Sequence, residues 1–313
     1  MDSKTPSSVA LIIINWNGYL LTKRCLLSLE NLQYPKVQVI IVDNGSEDGS
    51  LEKLQGEFSA PIYLKNETNL GFTGGNNTGI AYALDKGYDY ILLLNNDTEV
   101  YPAFLDELLK SQQKKQNIGM VQPLILFQDE PNRIWSAGGR YVKALGMAKT
   151  LGDRAALKDY PLQEDQKLDW ATGCCLLVPS QVVKAVGTLE NSYFAYFEDV
   201  DWSLRIRQAG YDIYLAPNSR ITHEGSASSK RAHDEGTLSP TVFYLHARNQ
   251  LFQLRRHVAG FSNLTAWPYH ILKYLAWMTY FCLRGRFKKM KAVYKGIRDG
   301  IYLDHRQPEP LCP

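Results

Sequence analysis

The chain has 313 residues, 45% of them hydrophobic and 21% charged, with a formal net charge of +3. This composition can bury a proper core and excludes a disordered chain, and so small a charge gives no ground for a nucleic-acid partner. No run of about eighteen apolar residues offers a spanning helix. The polar stretch 1–8 lacks a signal-peptide core, and five cysteines without CxxC or metal-ligand spacing fit a reducing, cytoplasmic compartment.

Residues 9–14 (VALIII) read as a buried strand that runs out into Asn15-Trp16-Asn17-Gly18. A helix is expected over 19–29, and a strand over 37–42 ending in Asp43-Asn44-Gly45-Ser46. A helix from residue 50 and a short strand over 62–64 follow. A Gly-rich loop over 66–77 then feeds a helix through Ile80 and Leu84. Residues 91–94 are a continuous apolar run, as in a strand covered on both faces, and they stop abruptly at Asn95-Asn96-Asp97. Strand and helix alternate as in a parallel α/β sheet, and every strand ends in Asn, Asp or Gly. Open α/β sheets bind ligands just beyond the carboxyl ends of their strands.

Farther on, a helix is expected over 103–114, a strand over 121–127, a turn region over 134–139, and a variable, mobile loop over 140–168. An apolar strand over 169–179 is entered through Gly173, and a short helix covers 181–186. The aromatic stretch 191–197 leads into Glu198-Asp199-Val200-Asp201-Trp202, followed by a helix over 203–210. Extended pieces are expected over 211–216 and 221–223. Residues 226–239 read as polar and flexible, and helices run from 244 onward.

Four places could carry chemistry. Asp43 closes a buried strand, where it could accept from a base imide or a ribose hydroxyl or simply cap a helix. The glycines of 69–77 allow close backbone approach before a helix, or merely connect two elements; they form neither GxGxxG nor a P-loop. Glu198, Asp199 and Asp201 crowd together, which raises carboxyl pKa values and suits a general base. They also suit a helix N-terminus. Asp97 and His223 both end strands and could share one divalent cation, given phosphate oxygens to complete its shell; a lone His is otherwise an ordinary packed residue.

In order, IIINWNG (12–18), VDNGSEDGS (42–50), NLGFTGGNN (69–77), LLLNNDTEV (92–100), WATGCCLL (170–177) and FEDVDWSLR (197–205) resemble the family 2 inverting glycosyltransferases. The likeness spans residues 9 to about 225 and is nearest the rhamnosyltransferase-like branch. It implies a GT-A fold, with 1–240 as the nucleotide-sugar-binding and catalytic domain and 241–313 as a helical extension. It further implies a nucleotide-diphospho-sugar donor such as dTDP-rhamnose and a saccharide or lipid-linked acceptor in cell-surface polysaccharide or glycolipid assembly. Asn15, Asp43, Asn44, Asn76 and Asn96 would line the nucleotide pocket. Asp97 and His223 would hold Mg²⁺ or Mn²⁺. Asp199, beside Glu198, would be the catalytic base. Trp170, Gly173, Asp201 and Trp202 would face sugar and acceptor. Asn95 stands where the family's Asp-x-Asp has its first acid, which departs from the pattern.

The C-terminal stretch mixes Trp267, Tyr274, Trp277 and Phe281 with Arg284, Arg286, Lys288, Lys289 and Lys291. Such a mix suits either an interfacial helix at the cytoplasmic face of an anionic membrane or an amphipathic core helix followed by a solvated basic one. A nucleotidyltransferase would want a basic Gly-rich loop near residues 12–21, and none is there. A non-catalytic sugar-nucleotide-binding protein would not need an acid at 199.

Overall fold

Val, Ile and Leu runs place β1 (Val9–Asn15) between β2 (Val37–Asn44) and β4 (Tyr90–Leu94), parallel to both, with β3 (Ile62–Asn66) at the edge beyond β2. The computed structural model describes residues 6–163, 166–225, 235 and 238–305. Helices α1 (Tyr19–Leu29), α2 (Ser50–Glu57) and α3 (Gly71–Asp85) make the crossovers. After β4 come β5 (Thr98–Val100), α4 (Phe104–Gln113), β6 (Ile118–Phe127), β7 (Ile134–Ser136), β8 (Gly139–Val142), β9 (Met147–Thr150), β10 (Lys167–Leu168) and β11 (Cys175–Pro179). Helices α5 (Ser180–Val186) and α6 (Glu198–Gln208) then lead to β12 (Asp212–His223). The main sheet runs β10-β12-β6-β11-β4-β1-β2-β3, with β5 paired to β12 and β7 to β6. It is mostly parallel, broken by antiparallel β11 between β4 and β6.

The continuous apolar strands are explained by burial on both faces. Val9, Leu11 and Ile13 pack with Leu26 of α1 and Leu105 and Leu108 of α4. Ala10 and Ile12 point the other way, to Ile80 and Ala83 of α3 and to Trp202 and Ile206 of α6. The end of the chain folds as α7 (Pro240–His257), α8 (Asn263–Leu283) and α9 (Phe287–Tyr302), with an apolar cluster of their own around Leu251, Leu254, Tyr274 and Val293. Among the described residues no helix is long and apolar enough to cross a membrane.

Several expectations are corrected. The expected loop over 66–77 gives way at Gly71 to α3, so Gly74, Gly75 and Gly79 are helical. Their function is close packing: a Cβ on Gly79 would stand 2.5 Å from Ile12 Cγ2, and one on Gly75 3.1 Å from Ile14 Cδ1. The region 134–139 contains β7, and the supposed mobile loop over 140–168 holds the β8–β9 hairpin, registered Tyr141 opposite Ala148. Helix α6 begins five residues early, at Glu198, and the two extended pieces after it are one strand, β12, interrupted between Ala216 and Arg220. The polar stretch 226–239 falls, apart from residues 235, 238 and 239, outside the described residues. Gly79→Ala is expected to cost about 1–3 kcal/mol through overpacking against Ile12, read as a lowered urea midpoint at unchanged slope.

Candidate active site

The site is assembled by strand register. Parallel pairing puts Asn15 beside Asp43 at the carboxyl edge of β1 and β2. Asn15 Nδ2 donates to Asp43 Oδ1 at 3.0 Å and to Ser50 Oγ at 2.8 Å, and Asn15 Oδ1 accepts from Thr22 Oγ1 at 2.8 Å. Asn96 Nδ2 in turn donates to Thr22 Oγ1 at 3.0 Å, so a single polar chain links Asp43 to the residue next to Asp97. Asp43 is sealed, and its second oxygen accepts from Ser46 N at 3.1 Å. Asn44 holds the turn into α3, donating to Asn69 Oδ1 and Gly71 O at 3.0 Å each. Asn76 is buried and donates to Phe72 O at 2.9 Å. Asn15, Asn44 and Asn76 are thus buried and bonded to the chain around them.

In the Gly-rich segment Leu70 N donates to Asn44 Oδ1, Gly71 N to Asn69 Oδ1 and Thr73 N to Phe194 O, so these three N–H groups at the helix start are met from within the chain.

Antiparallel pairing of β5 with β12 places His223 opposite Thr98, next to Asp97. His223 Nε2 and Asp97 Oδ1 lie 3.1 Å apart, both groups nearly buried. Among the described residues Asp97 Oδ1 meets no donor besides His223 Nε2. Two ligands about 2.1 Å from one ion and at right angles stand about 3.0 Å apart, so the pair fits a shared cation with oxygen and nitrogen donors. Among the described residues no group of three or more His, Cys, Asp or Glu side chains forms a metal site. Further ligands would have to come from phosphate and water. The edge of Trp135 packs on the His223 ring, with centroids 4.4 Å apart. A cavity of about 190 Å³ opens beside them, lined by Trp135, Ser136, Thr150, Asp153, Trp170 and Thr172.

Antiparallel β11 carries the same edge over to the acids. Asn95 N donates to Cys174 O at 2.8 Å, and Gly173 N donates to Asp199 Oδ2 at 2.9 Å. The carboxyls at 43, 97 and 199 are thereby brought to one edge of the sheet. Asp199 is half-buried, and its other oxygen accepts from Val200 N at 2.7 Å.

The three acids of α6 meet different fates. Burial pushes the Glu198 carboxyl well up, and the charge of Asp199 adds to it; Glu198 Oε2 has no partner. Burial also raises Asp199, against the two backbone N–H donors that favour its charged form. Glu198 is raised the further of the two, so Asp199 is the member that ionises first. Asp201 is fully buried, yet His257, Arg205 and Arg256 hold its carboxyl below the usual range despite desolvation. Trp202 is sealed in the core with Nε1 donating to Gly187 O at 2.8 Å. The sugar or acceptor role expected for Asp201 and Trp202 is corrected: both are framework. Trp170 lines the cavity, and Gly173 meets Asp199.

Sequence reasoning missed the residues that aim this helix. Phe194, Tyr196 and Phe197 have φ of 63°, 70° and 72°, left-handed values costly for bulky side chains. Asn249 Nδ2 donates to the carbonyls of Tyr193, Ala195 and Tyr196 at 2.8–2.9 Å. Arg248 Nη2 donates to Ser192 O at 2.8 Å and Tyr193 O at 2.9 Å, and Arg248 Nε to Asn249 Oδ1 at 2.9 Å. Gly71, itself at φ 73°, leaves the space Phe194 occupies. The available signal was Arg248-Asn249 on the buried stripe of α7, between Tyr244 and Phe252, whose rings each lie 5.3 Å from the guanidinium.

The family model for glycosyl transferase family 2 matches residues 10–176, more than half of the chain. The chain belongs to glycosyl transferase family 2. It is accordingly a glycosyltransferase, and rhamnosyltransferase-like in its relatives. It is 27% identical over 227 residues to the N-acetylglucosaminyl-diphospho-decaprenol L-rhamnosyltransferase of Mycobacterium tuberculosis, covering 67% of this chain and 73% of that one. It is 25% identical over 236 residues to the rhamnosyltransferase WbbL of Escherichia coli, covering 73% of this chain and 86% of WbbL. Two solved structures share the GT-A fold. One is the mannosyltransferase PcManGT of Pyrobaculum calidifontis in complex with GDP-Man and Mn²⁺, with TM-score 0.58, 12% identity, 96% of this chain and 88% of that one. The other is GalNAc-T7 with UDP, GalNAc and Mn²⁺, with TM-score 0.61, 14% identity and 81% of this chain. This chain spans about half the length of the GalNAc-T7 chain, 48%.

Three outcomes follow for this family 2 site. Glu198→Gln copies the neutral acid, so transfer at pH 7 is expected to stay within about threefold of the parent; if Glu198 were the base, the loss would be about 10²-fold or more. In both proteins kcat/KM falls as pH drops through the raised pKa of Asp199, with a midpoint above the ordinary carboxylate range. Asn249→Ala strands buried carbonyls at about 1–3 kcal/mol, and is expected to lower kcat at least about tenfold with donor KM nearly unchanged and the thermal midpoint reduced.

Proposed function

We propose that the chain is an inverting transferase that moves a deoxyhexose, with dTDP-rhamnose the donor of choice, to a hydroxyl of a lipid-linked saccharide in cell-surface polysaccharide or glycolipid assembly. The observation that carries this reading is the Asp199 carboxylate, gripped by the N–H groups of Gly173 and Val200, on the same sheet edge as the Asp97–His223 pair. The names of the two rhamnosyltransferase relatives support the donor, and the decaprenol diphosphate in one of them supports the acceptor class.

Asp43 and its polar wall of Asn15, Asn44, Asn76 and Asn96 would receive the nucleoside. For the base or ribose to engage Asp43, the internal bond from Asn15 or Ser46 must be exchanged for one from the ligand. Asp97 and His223 would hold Mn²⁺ or Mg²⁺, in line with Mn²⁺ in the two structural neighbours. A bound divalent cation neutralises the charge that builds on a departing diphosphate. Asp199 accepts the proton of the acceptor hydroxyl as that oxygen bonds the anomeric carbon, and the bond from carbon to the diphosphate oxygen breaks on the opposite face with its electron pair. Single displacement needs no enzyme nucleophile, and a pair of carboxylates flanking the scissile bond, as in a glycosidase, is not required. Trp170, Thr172 and Trp135 line the space for the sugar.

We also propose a peripheral position at the cytoplasmic face of an anionic membrane. Helix α8 turns Leu264, Ile271, Leu272, Leu275 and Leu283 to solvent, and basic α9 lies alongside. Apolar area flanked by Lys and Arg suits such a surface. Leu272→Glu is expected to reduce co-sedimentation with phosphatidylglycerol vesicles severalfold; unchanged binding would remove this part of the reading.

Asp199→Asn is expected to lower transfer by about 10²–10⁴-fold while thermal stabilisation by the donor persists. In a panel of nucleotide sugars, dTDP-rhamnose with Mn²⁺ is expected to raise the thermal midpoint most, and Asp97→Ala to remove the Mn²⁺-dependent part. Stabilisation by a different donor alone would replace the sugar assigned. Near-parental turnover in Asp199→Asn would overturn the base.

A further inference from the structure

A second polar site lies on the far side of the catalytic segment, between α7 and α8. Lys273 of α8 is partly exposed, with its ammonium 4.6 Å from the centroid of the Tyr274 ring and 5.5 Å from that of Trp277. Among the described residues no carboxylate pairs with it. Elsewhere in this part of the chain Arg205 meets Asp201, and Arg256 meets Glu190 at 2.7 Å. Burial lowers the Lys273 pKa to about 8, and no counter-charge offsets that cost beyond the two ring faces.

His246 of α7 stands in the same cleft. Its ring lies 4.6 Å from Tyr196 and 5.7 Å from Phe197, and its carbonyl accepts from Tyr274 OH at 3.3 Å. Burial, and then the Lys273 charge, lower its pKa to about 4, so it is a neutral imidazole able to donate. His270, below Lys273, is also lowered to about 4 by burial and by that ammonium; its Nε2 lies 2.9 Å from Leu145 O. At neutral pH the cleft therefore holds one uncompensated positive charge among neutral donors and aromatic faces.

The position of the cleft says what the anion belongs to. On one side Tyr196 and Phe197 lead directly into Glu198 and Asp199. On the other, Lys273 is bracketed along α8 by the exposed Leu272 and Leu275. A polyprenyl-diphosphate-linked sugar presents a hydroxyl, then phosphates, then hydrocarbon. The path of neighbours runs in that same order, from Asp199 by way of Tyr196 and His246 to Lys273 and on to Leu272 and Leu275.

We infer that the Lys273–His246 cleft is the subsite for the diphosphate of a lipid-linked acceptor, with the saccharide toward Asp199 and the prenyl chain along α8. This rests on the lipid-linked acceptor proposed above and adds the residues that select it. A cation–diphosphate contact in a partly desolvated site is worth tenfold or more in affinity.

Farnesyl diphosphate and farnesol serve as probes, with binding read by calorimetry on the full chain and on Lys273→Ala, Lys273→Met and Lys273→Arg. Lys273→Met keeps the stem volume should Lys273→Ala fold poorly. Farnesyl diphosphate is expected to bind Lys273→Met at least about tenfold more weakly and Lys273→Arg within about threefold, while farnesol binds all alike. Lys291→Ala, an exposed basic change on α9, is expected to behave as parent. Occupancy of the nucleotide pocket by the probe would not respond to residue 273. Equal affinity for farnesyl diphosphate in Lys273→Met overturns the subsite. So does an equal loss for farnesol, which would mean packing, or a loss confined to phosphatidylglycerol vesicles, which would mean a headgroup site. Because the readout is lipid diphosphate binding, it is decided separately from the donor sugar, which the nucleotide-sugar panel decides.

Discussion

The side-chain amide of Asn249 is what the catalytic arrangement depends on. The segment 193–197 takes left-handed backbone angles at three bulky residues, each worth about 1–3 kcal/mol of strain. It holds that shape because its carbonyls converge on one amide and one guanidinium from α7. The sharp turn lets α6 start at Glu198 with its first acids at the sheet edge instead of in solvent. Neither Arg248 nor Asn249 meets Asp199; their effect passes through main chain.

At that edge, environment assigns different chemistry to like side chains. Glu198, Asp199 and Asp201 lie within one turn of helix. Glu198 has burial and a like-charged neighbour against one backbone donor, and its carboxyl is driven well up. Asp199 has two backbone donors and partial exposure, and can ionise at modest cost. Asp201 is buried deepest but is ringed by Arg205, Arg256 and His257, and stays charged. A cluster that looks redundant on paper separates into a carboxyl driven strongly toward its neutral form, one raised less, and an ion-pair anchor. Gly173 joins this cluster to the cation pair, since the strand after it runs antiparallel to β4 and returns its polar start to the ends of the parallel strands.

The alternation of apolar strands with helices was legible, because burial on both faces leaves an unmistakable signature in runs such as VALIII and ILLL. So were the polar strand ends, since a ligand edge needs Asn and Asp where the core stops. The 66–77 stretch was misread because glycine usually marks a loop, whereas here Gly75 and Gly79 are the smooth face on which a helix presses against Ile14 and Ile12. The β8–β9 hairpin was missed because one face of it is solvated and its period-two pattern is short. Asp201 and Trp202 looked functional by proximity to Asp199, but a helix turns successive residues about 100° apart, and these two face inward. Arg248 and Asn249 carried no motif; only their place on an apolar stripe marked them.

The anchor at Asp201 joins α6 to the last turn of α7, through Arg256 and His257, while Asn249 joins the turn before α6 to the middle of α7. One helix is thus riveted to the other at two heights, like a splint along a joint. The contacts that hold α6 in place therefore extend through residue 257, well past residue 176, where the family model's match ends. A fragment ending before α7 would lose the amide and guanidinium that hold the turn before Glu198, and would leave Asp201 a buried carboxylate without Arg256 and His257.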